Sequence, residues 1–408
     1  MRVVVVGAGG REHALADVLG RTASQVVVTP GNAGIPGSVS TPATELDADL
    51  FVIGPEVPLV DGLADELRAQ GKLVYGPGAD GAQLEGSKAY MKDLLVAAGV
   101  PTAGHGAFTE AQLALDFLAT MSAPFVIKTD GLAAGKGVLV TDGRAEAEVA
   151  IHDYLAGDAF GDAGRTVVIE EGLVGPEVSI FAICDGNKAV ALAPAQDHKR
   201  IGDGDTGPNT GGMGAYTPLP WADEDLVDTI MTTCIEPTLA ELRNRGIDYR
   251  GTLFAGLMLT ATGPKMLEYN VRFGDPETQV ILPRIDSDLC QLLAQAAAGN
   301  IETQPTFSDD AVVTVVCASE GYPASARTGD RIAGIEEARA LQGVSVYAAG
   351  VKTDASGALT TGGGRVLNVV GRGATMADAL ERAYAGVAKI SWPGMQHRTD
   401  IAHQALQQ

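Results

Sequence analysis

At 408 residues, the chain is longer than a single hydrophobic core usually organises, so two to four domains, or one large lobe with satellites, are expected. Its 46% apolar and 20% charged residues are those of an ordinary globular protein, while 52 glycines point to many tight loops. A formal charge of −22 argues against nucleic acid or an anionic membrane as partner, because either needs a basic face, so any anionic ligand must be met by local Lys and Arg.

In chain order, Val3 to Val6 form an apolar run, but Arg11, Glu12 and His13 follow too soon for a signal peptide. No later run approaches the roughly 18 apolar residues of a membrane helix. Cys184, Cys234, Cys290 and Cys317 lack Cys-x-x-Cys spacing, which suggests neither a zinc site nor a disulfide framework and fits a reducing, cytoplasmic setting. Through the first 85 residues, strands (MRVVVV, QVVV, DLFVIG, KLVYG) alternate with helices (HALADVLG, VDGLADELRAQ), the rhythm of a parallel α/β domain. Gly7 to Glu12 follows a strand and opens a helix, where amides can cradle a phosphate. It is not a clean dinucleotide fingerprint, since Glu12 replaces the third glycine and the second strand ends at Thr29-Pro30 without a ribose-gripping acid. A tight βα turn in any parallel sheet would read the same way. The Pro30–Gly34 and Gly54–Glu56 segments end the next two strands, at the edge where such sheets bind ligands.

An amphipathic helix, SKAYMKDLLVAAG, leads out of this domain. Residues 105–166 then carry PFVIK, a glycine loop, GVLV and a helical GRAEAEVAIHDYLAG, enough for a small α/β subdomain that could move as a lid. The central signal is Lys128 through Gly137. A Walker loop needs four residues between its glycines and then Lys-Ser/Thr and a helix; here there are three, Lys136 is followed by glycine, and a strand continues. Such a flap lays amides on phosphates while Lys128 and Lys136 neutralise charge from two sides. A structural hairpin with surface lysines is the bland alternative.

Val167 to Glu171 ends in two acids, with Leu173 and Glu177 beyond; adenine can pair with backbone at such a strand end and a carboxylate can hold ribose hydroxyls, although exposed acids after a strand are common. The strands from Val167 to Gly299 read as the catalytic core. Asp197 opens a loop of about twenty polar residues, a length that is usually functional or disordered. In Met266–Phe273, period-two alternation puts Glu268, Asn270 and Arg272 on one face and Leu267, Tyr269, Val271 and Phe273 on the other. A carboxylate beside an amide oxygen suits Mg²⁺, and Arg272 can receive a carboxylate or acyl phosphate in two parallel hydrogen bonds. A solvated strand face would show the same pattern. The remaining strands and the helix ADALERAYAGVAKI make a compact C-terminal α/β domain. The expected plan is therefore α/β: residues 1–86 a parallel α/β domain, 87–300 the domain of the lysine loop with its lid, and 301–408 the C-terminal domain.

Taken together, GAGGREHA, PGNAG, GPEVPLV, LEGSKAYMKD, KTDGLAAGKGV, VIEEGLVGPEVS, QDHKRIGDGDTGPNTGGMGAY, LEYNVRFGDPETQ and GGRVLNV resemble the phosphoribosylamine–glycine ligases, the glycinamide ribonucleotide synthetases of purine biosynthesis. The resemblance runs in order to RTDIAHQAL and implies an ATP-grasp fold between a Rossmann-like and a C-terminal domain. It also implies ATP as substrate with Mg²⁺ or Mn²⁺, and glycine and phosphoribosylamine as the molecules joined. Carried over residue by residue, Lys88, Lys128, Gly135 and Lys136 would meet phosphates, Glu170, Glu171 and Leu173 the adenine, and Glu177 the ribose. Glu268 and Asn270 would hold the metal. Gly9, Arg11, Asn32, Gly54, Pro55 and Glu56 would bind phosphoribosylamine, while Asp197, Arg272 and Asp275 would serve glycine and its phosphate, with Lys136, Arg272 and Asp197 closest to the chemistry. A monomer or weak dimer is expected. Two departures stand out: Ser38 to Asp49 leaves little room for a crossover helix, and LFAGLMLT lacks the acid many ATP-grasp enzymes carry there, so a second metal would need another ligand or water. Another ATP-grasp ligase, a nucleotide sensor and a Rossmann oxidoreductase remain as alternatives, the first leaving GPNTGGMG and NVRFGDPET unexplained.

Overall fold

The computed structural model describes residues 1–132, 137–156 and 165–406. Strand β1 (Arg2–Gly7) leads into α1 (Gly10–Leu19), followed by β2 (Gln25–Pro30), β3 (Leu50–Ile53), α2 (Glu56–Val60), α3 (Leu63–Ala69) and β4 (Val74–Tyr75). The strands form one parallel sheet in the order β2-β1-β3-β4. Val3–Val6 and Leu50–Ile53 are buried throughout, as a sheet covered on both faces requires. The expected helix over VDGLADELRAQ is broken in two because Gly62 takes φ +87°. Between β2 and β3 the helical content is a single 3₁₀ turn, Ala43–Glu45, so the short segment does replace a crossover helix.

Helices α4 (Ala79–Gly86) and α5 (Lys88–Ala97) lead to β5 (His105–Phe108), α6 (Ala111–Leu118), β6 (Phe125–Thr129), β7 (Val138–Thr141), α7 (Arg144–Leu155) and β8 (Val167–Glu171). These strands form an antiparallel sheet ordered β5-β8-β6-β7. The sequence pattern assigns Val167–Glu171 to the catalytic core; its pairing with β5 and β6 puts it instead in the small sheet. Ile127, Ile151, Val167 and Ile169 give that sheet a hydrophobic cluster separate from the main core. Such a unit can shift as a body without opening the rest.

The main core carries β9 (Glu177–Asp185) and β10 (Ala189–Ala191), and then the polar segment with β11 (Gln196–Asp197), β12 (Arg200–Gly202), β13 (Thr206–Asn209) and β14 (Gly214–Thr217). Helices α8 (Glu224–Ile230) and α9 (Glu236–Asn244), joined by a π-helical turn, precede β15 (Arg250–Thr260), β16 (Gly263–Asn270), α10 (Thr278–Ile281) and α11 (Leu289–Ala298). The antiparallel sheet is ordered β10-β9-β15-β16. Neither coil nor disorder, the long polar segment folds β12 and β13 into a hairpin and lends β11 and β14 to the C-terminal sheet.

That sheet is completed by β17 (Ala311–Ala318), then, after α12 (Ile335–Arg339), by β18 (Val344–Ala348) and, past a small hairpin of β19 (Val351–Thr353) and β20 (Leu359–Thr361), by β21 (Arg365–Gly373), with α13 (Met376–Val387) behind it. Its order is β11-β14-β17-β21-β18. The segment 196–217 therefore fastens the catalytic core to the C-terminal domain.

Candidate active site

The end expected to take the nucleotide lies where α5 meets the small sheet. Ser87 caps α5 by accepting from the Tyr90 amide, and its hydroxyl donates to Asp130 Oδ2 at 3.0 Å. The Ala89 amide donates to Asp130 Oδ1, and Lys88 Nζ reaches the Gly131 carbonyl at 2.9 Å. The glycine loop is thus anchored to a helix N-terminus at one end and closed at the other by Thr129 N–H to the Gly137 carbonyl. Gly135 and Lys136 lie outside the described residues. Burial lowers the Lys88 ammonium below its ordinary pKa, opposed by the Glu268 carboxylate.

Lys128 points inward, not to the surface: its Nζ is 2.8 Å from Glu170, whose other oxygen is 2.9 Å from Lys92. All three side chains are buried. Burial alone would raise the Glu170 carboxyl, but Lys128 and Lys92 outweigh it and hold the group below the ordinary carboxylate range. Burial likewise drops Lys92 to about 8 despite Glu170. The Glu170 carboxylate is thus engaged by both lysines. Glu171 pairs with Lys265 at 2.9 Å, and Leu173 is partly exposed at the start of the loop to β9. Glu177 and Asp197 are bridged by Lys199, at 2.8 and 2.7 Å.

On β16, where Glu268 and Asn270 are expected to hold a metal, the alternation is altered by a bulge. Gly256 pairs with Glu268 and Leu257 with Met266, so Leu267 is skipped, and Met266 and Tyr269 become the buried residues. The strand ends at Asn270, so Arg272 stands beyond it and not on the strand face. It reaches back all the same, donating to Asn270 Oδ1 at 3.1 Å. Glu268 is partly exposed and forms no ion pair among the described residues, which also contain no cluster of three acidic, His or Cys ligands. One free carboxylate and one amide oxygen fit a magnesium ion that fills the rest of its shell with phosphate and water.

Arg272 is the junction of the site. Its Nη2 donates to Glu85 at 2.8 Å and its Nε to Glu56 at 3.2 Å, while Glu85 also accepts from the Val271 amide. Burial opposes the Arg272 charge, yet Glu85 and Glu56 raise its pKa above the ordinary value. Burial raises Glu85, whereas at Glu56 the cations Arg272 and Arg11 overcome it and lower the pKa. The Gly54–Glu56 turn, with Pro55 at the cap of α2, is thereby tied to the end of β16.

The first glycine turn differs from the expected phosphate cradle. Glu12 folds back so that Oε2 accepts the Gly9 amide at 2.6 Å and Oε1 accepts Arg11 Nε at 2.6 Å. The carboxylate fills the space over Gly7, Gly9 and Gly54, where a side chain would collide with it. The Gly9 amide is therefore already committed, and the acid in place of the third glycine is the reason. Arg11 also donates to the Phe273 carbonyl. Asn32 donates to the carbonyls of Ala8 and Ala349 at 2.9 and 2.8 Å, binding the first domain to the C-terminal one. Asp275 is met by Arg365 of β21 at 3.1 Å and by Gln279. Against the effect of burial, Arg365 and Arg11 lower its pKa. Glu85, Lys92, Glu277 and Arg365 are the participants that motif reading passes over, although each lies inside a quoted motif.

A small four-stranded antiparallel sheet with an inward lysine, beside a second antiparallel sheet whose last strand ends in an acid and an amide, is the arrangement of an ATP-grasp protein. A biotin carboxylase domain from Hydrogenobacter thermophilus shares this fold at 15% identity, with a TM-score of 0.74 over 97% of this chain and 91% of that one. More narrowly, residues 1–85, 86–278 and 312–404 match the N, ATP-grasp (A) and C domains of phosphoribosylglycinamide synthetase, and the chain belongs to that family. The phosphoribosylamine–glycine ligase of Streptomyces coelicolor is 47% identical over 423 aligned residues, covering 99% of each chain. That of Caulobacter vibrioides is 47% identical over 425, covering 100% of this chain and 99% of its own. Both alignments exceed the 408 residues here, so these relatives carry residues that this chain lacks. The crystal structure of the Thermotoga maritima phosphoribosylamine–glycine ligase superposes with a TM-score of 0.87 at 32% identity, over 98% of this chain and all of that one, 100%. Among the described residues, no helix is long and apolar enough to cross a membrane.

Proposed function

We propose that this chain joins glycine to phosphoribosylamine at the expense of ATP, through glycyl phosphate, and that the site residues act as follows. A carboxylate is a poor electrophile, so glycine's carboxylate first takes the γ-phosphoryl group, releasing ADP; the amine of phosphoribosylamine then attacks the acyl carbon and phosphate departs. Lys88, Lys128 and Lys136 balance phosphate charge, with Lys128 steadied by Glu170. Glu268 and Asn270 would hold magnesium, or equally manganese, which would neutralise the triphosphate as charge shifts onto the leaving ADP. Backbone from Glu170 to Leu173 would receive adenine and Glu177 the ribose. Arg272 orients the carboxylate of glycine and its phosphate, and Asp197 and Asp275 line the same pocket. Arg11, Asn32 and the Gly54–Glu56 turn shape the phosphoribosylamine side, with Gly9 giving close approach rather than its amide. The small sheet closes over the site and excludes water, which would hydrolyse an acyl phosphate.

The observation that carries this reading is the Arg272 junction, where one guanidinium touches the first domain's Glu56, the helix residue Glu85 and the metal-side Asn270. It supports this reading because the turn assigned to the amine and the strand end assigned to phosphoryl transfer share one hydrogen-bonded unit. The test is ADP release with glycine alone, phosphoribosylamine alone and both. Full-rate release without an amine, or free replacement of glycine by other amino acids, overturns the substrate assignment.

A further inference from the structure

Glu277 is a buried acid that the mechanism above leaves unused. It lies between β16 and α10 and is 3% exposed. Its carboxyl folds back over Gly274, where an added Cβ would stand 2.5 Å from Glu277 Oε2 and 3.0 Å from the Phe181 ring. Glycine at 274 leaves the room that this acid occupies.

The charged groups facing it are Asp197 and Lys199 from the β11 segment and Arg272 from its own strand end, with Phe181 of β9 as an apolar wall. Each of the three charges has another partner: Asp197 pairs with Lys199 at 2.7 Å, Lys199 also with Glu177 at 2.8 Å, and Arg272 with Glu85 at 2.8 Å. Among the described residues Glu277 has no ion pair of its own. Two carboxylates thus stand close together, one ion-paired with Lys199 and one without an ion pair. Burial, and after it the charge of Asp197, push Glu277 up to about 7.

Amide formation requires a base in this pocket. An amine that attacks the acyl carbon becomes positively charged and must lose a proton before the tetrahedral species collapses to a neutral amide. We propose that Glu277 is the proton acceptor of the amide-forming step. As the N–C bond forms, its carboxylate takes the proton from the attacking nitrogen; the acyl C–O bond breaks with its electron pair leaving on inorganic phosphate, and the neutral Glu277 acid later returns the proton to solvent.

This assignment rests on the ligase reading, and the two can fail separately. Wild-type enzyme that releases no ADP with both substrates overturns the ligase reading itself. The test of Glu277 is the split between the half-reactions. With glycine, and ATP carrying ¹⁸O in the β–γ bridge, migration of label to the β-nonbridging positions reports glycyl phosphate formation without any amine. Glu277→Gln should keep this exchange within about threefold while amide formation falls by about 10²–10⁴, the span general-base catalysis supplies. The acid limb in kcat/KM for the amine should vanish with it, and Glu277→Asp should restore part of the rate with a displaced limb. Amide formation and exchange falling in parallel, or amide formation retained, overturns the proposal. Should the Gln variant fail to fold, an acid limb unmoved in Glu277→Asp overturns it equally.

Discussion

Glu170 and Lys92 lie 2.9 Å apart with side chains 2% and 1% exposed, and Lys128 approaches the same carboxylate from the opposite side at 2.8 Å. A buried anion between two cations is costly to disturb, because removing one partner leaves the others imperfectly compensated. Lys92 also donates to Thr102 Oγ1, which donates to the Met266 carbonyl of β16, so the cluster joins α5, the small sheet and the main core. Lys92→Met should therefore lower stability by about 2–4 kcal/mol. It should also raise KM for ATP more than it lowers kcat, since the nucleotide pocket loses its support while the reacting groups stay. Urea unfolding with steady-state kinetics tests both parts; a changed kcat at constant KM would place Lys92 elsewhere.

Arg272 separates stability from chemistry. Arg272→Ala strands Glu85, which is 9% exposed, and should cost about 3 kcal/mol or more in unfolding free energy, with turnover down at least about 100-fold. Arg272→Lys keeps a charge but lacks the fork that serves Glu56 and Glu85 together, so it should recover stability better than activity. The double variant Glu85→Gln with Arg272→Met removes the buried charges jointly. It should approach wild-type stability and remain inactive, which urea melts and ADP release would show together.

His13 gives the fold a pH dependence. Its Nδ1 accepts the Ala348 amide at 2.8 Å, which joins α1 to β18, and the acceptor must be unprotonated. Burial, aided by Arg339, lowers its pKa from 6.5 to about 4. Between those values the unfolded chain holds a proton that the folded chain refuses. Stability should consequently rise with pH through this window and fall as pH drops through it, by about 3 kcal/mol in full. Urea midpoints compared at about pH 5 and about pH 7.5 should show the slope, and His13→Asn, an acceptor that does not titrate, should flatten it.

The sequence was most legible where chemistry and local pattern coincide. A lysine-bearing strand pair, a strand ending in acids and a carboxylate two residues from an amide each declare themselves within a dozen residues. The partners that decide their behaviour do not: Glu85 is 187 residues from Arg272, and Arg365 is 90 from Asp275. Only folding brings such pairs together. The bulge at Leu267 escapes period-two reasoning because one extra residue reverses the faces without any change in composition. Glu12 was visible as a departure from the glycine motif, but that its carboxylate would take the Gly9 amide required the turn's geometry. The polar segment 196–217 looked coreless because its strands borrow their hydrophobic neighbours from β17, nearly a hundred residues on.

That borrowed structure leads to the last prediction. Arg398 is 1% exposed and grips Asp400 with two hydrogen bonds of 2.7 Å each, Asp205 at 2.7 Å and the Arg200 carbonyl at 3.2 Å. Asp400 in turn accepts the Gly204 amide, and the Ala402 amide donates to His198 Nε2. The C-terminal segment thus clasps the β12–β13 hairpin, and the ends of that hairpin continue into Asp197 on one side and the Gly211–Gly212 turn under Arg365 on the other. Loss of the clasp should loosen the hairpin before it unfolds the domain, since the sheet strands β11 and β14 keep their own pairing. Arg398→Ala should accelerate tryptic cleavage at Lys199 and Arg200 by roughly tenfold, equivalent to about 1.4 kcal/mol of local opening, and raise KM for glycine more than it lowers kcat. Arg398→Lys should rescue only part of this, because an ammonium cannot reproduce the paired bonds to Asp400. Cleavage at Lys199 and Arg200 at the wild-type rate in the alanine variant would show that the hairpin is held from elsewhere.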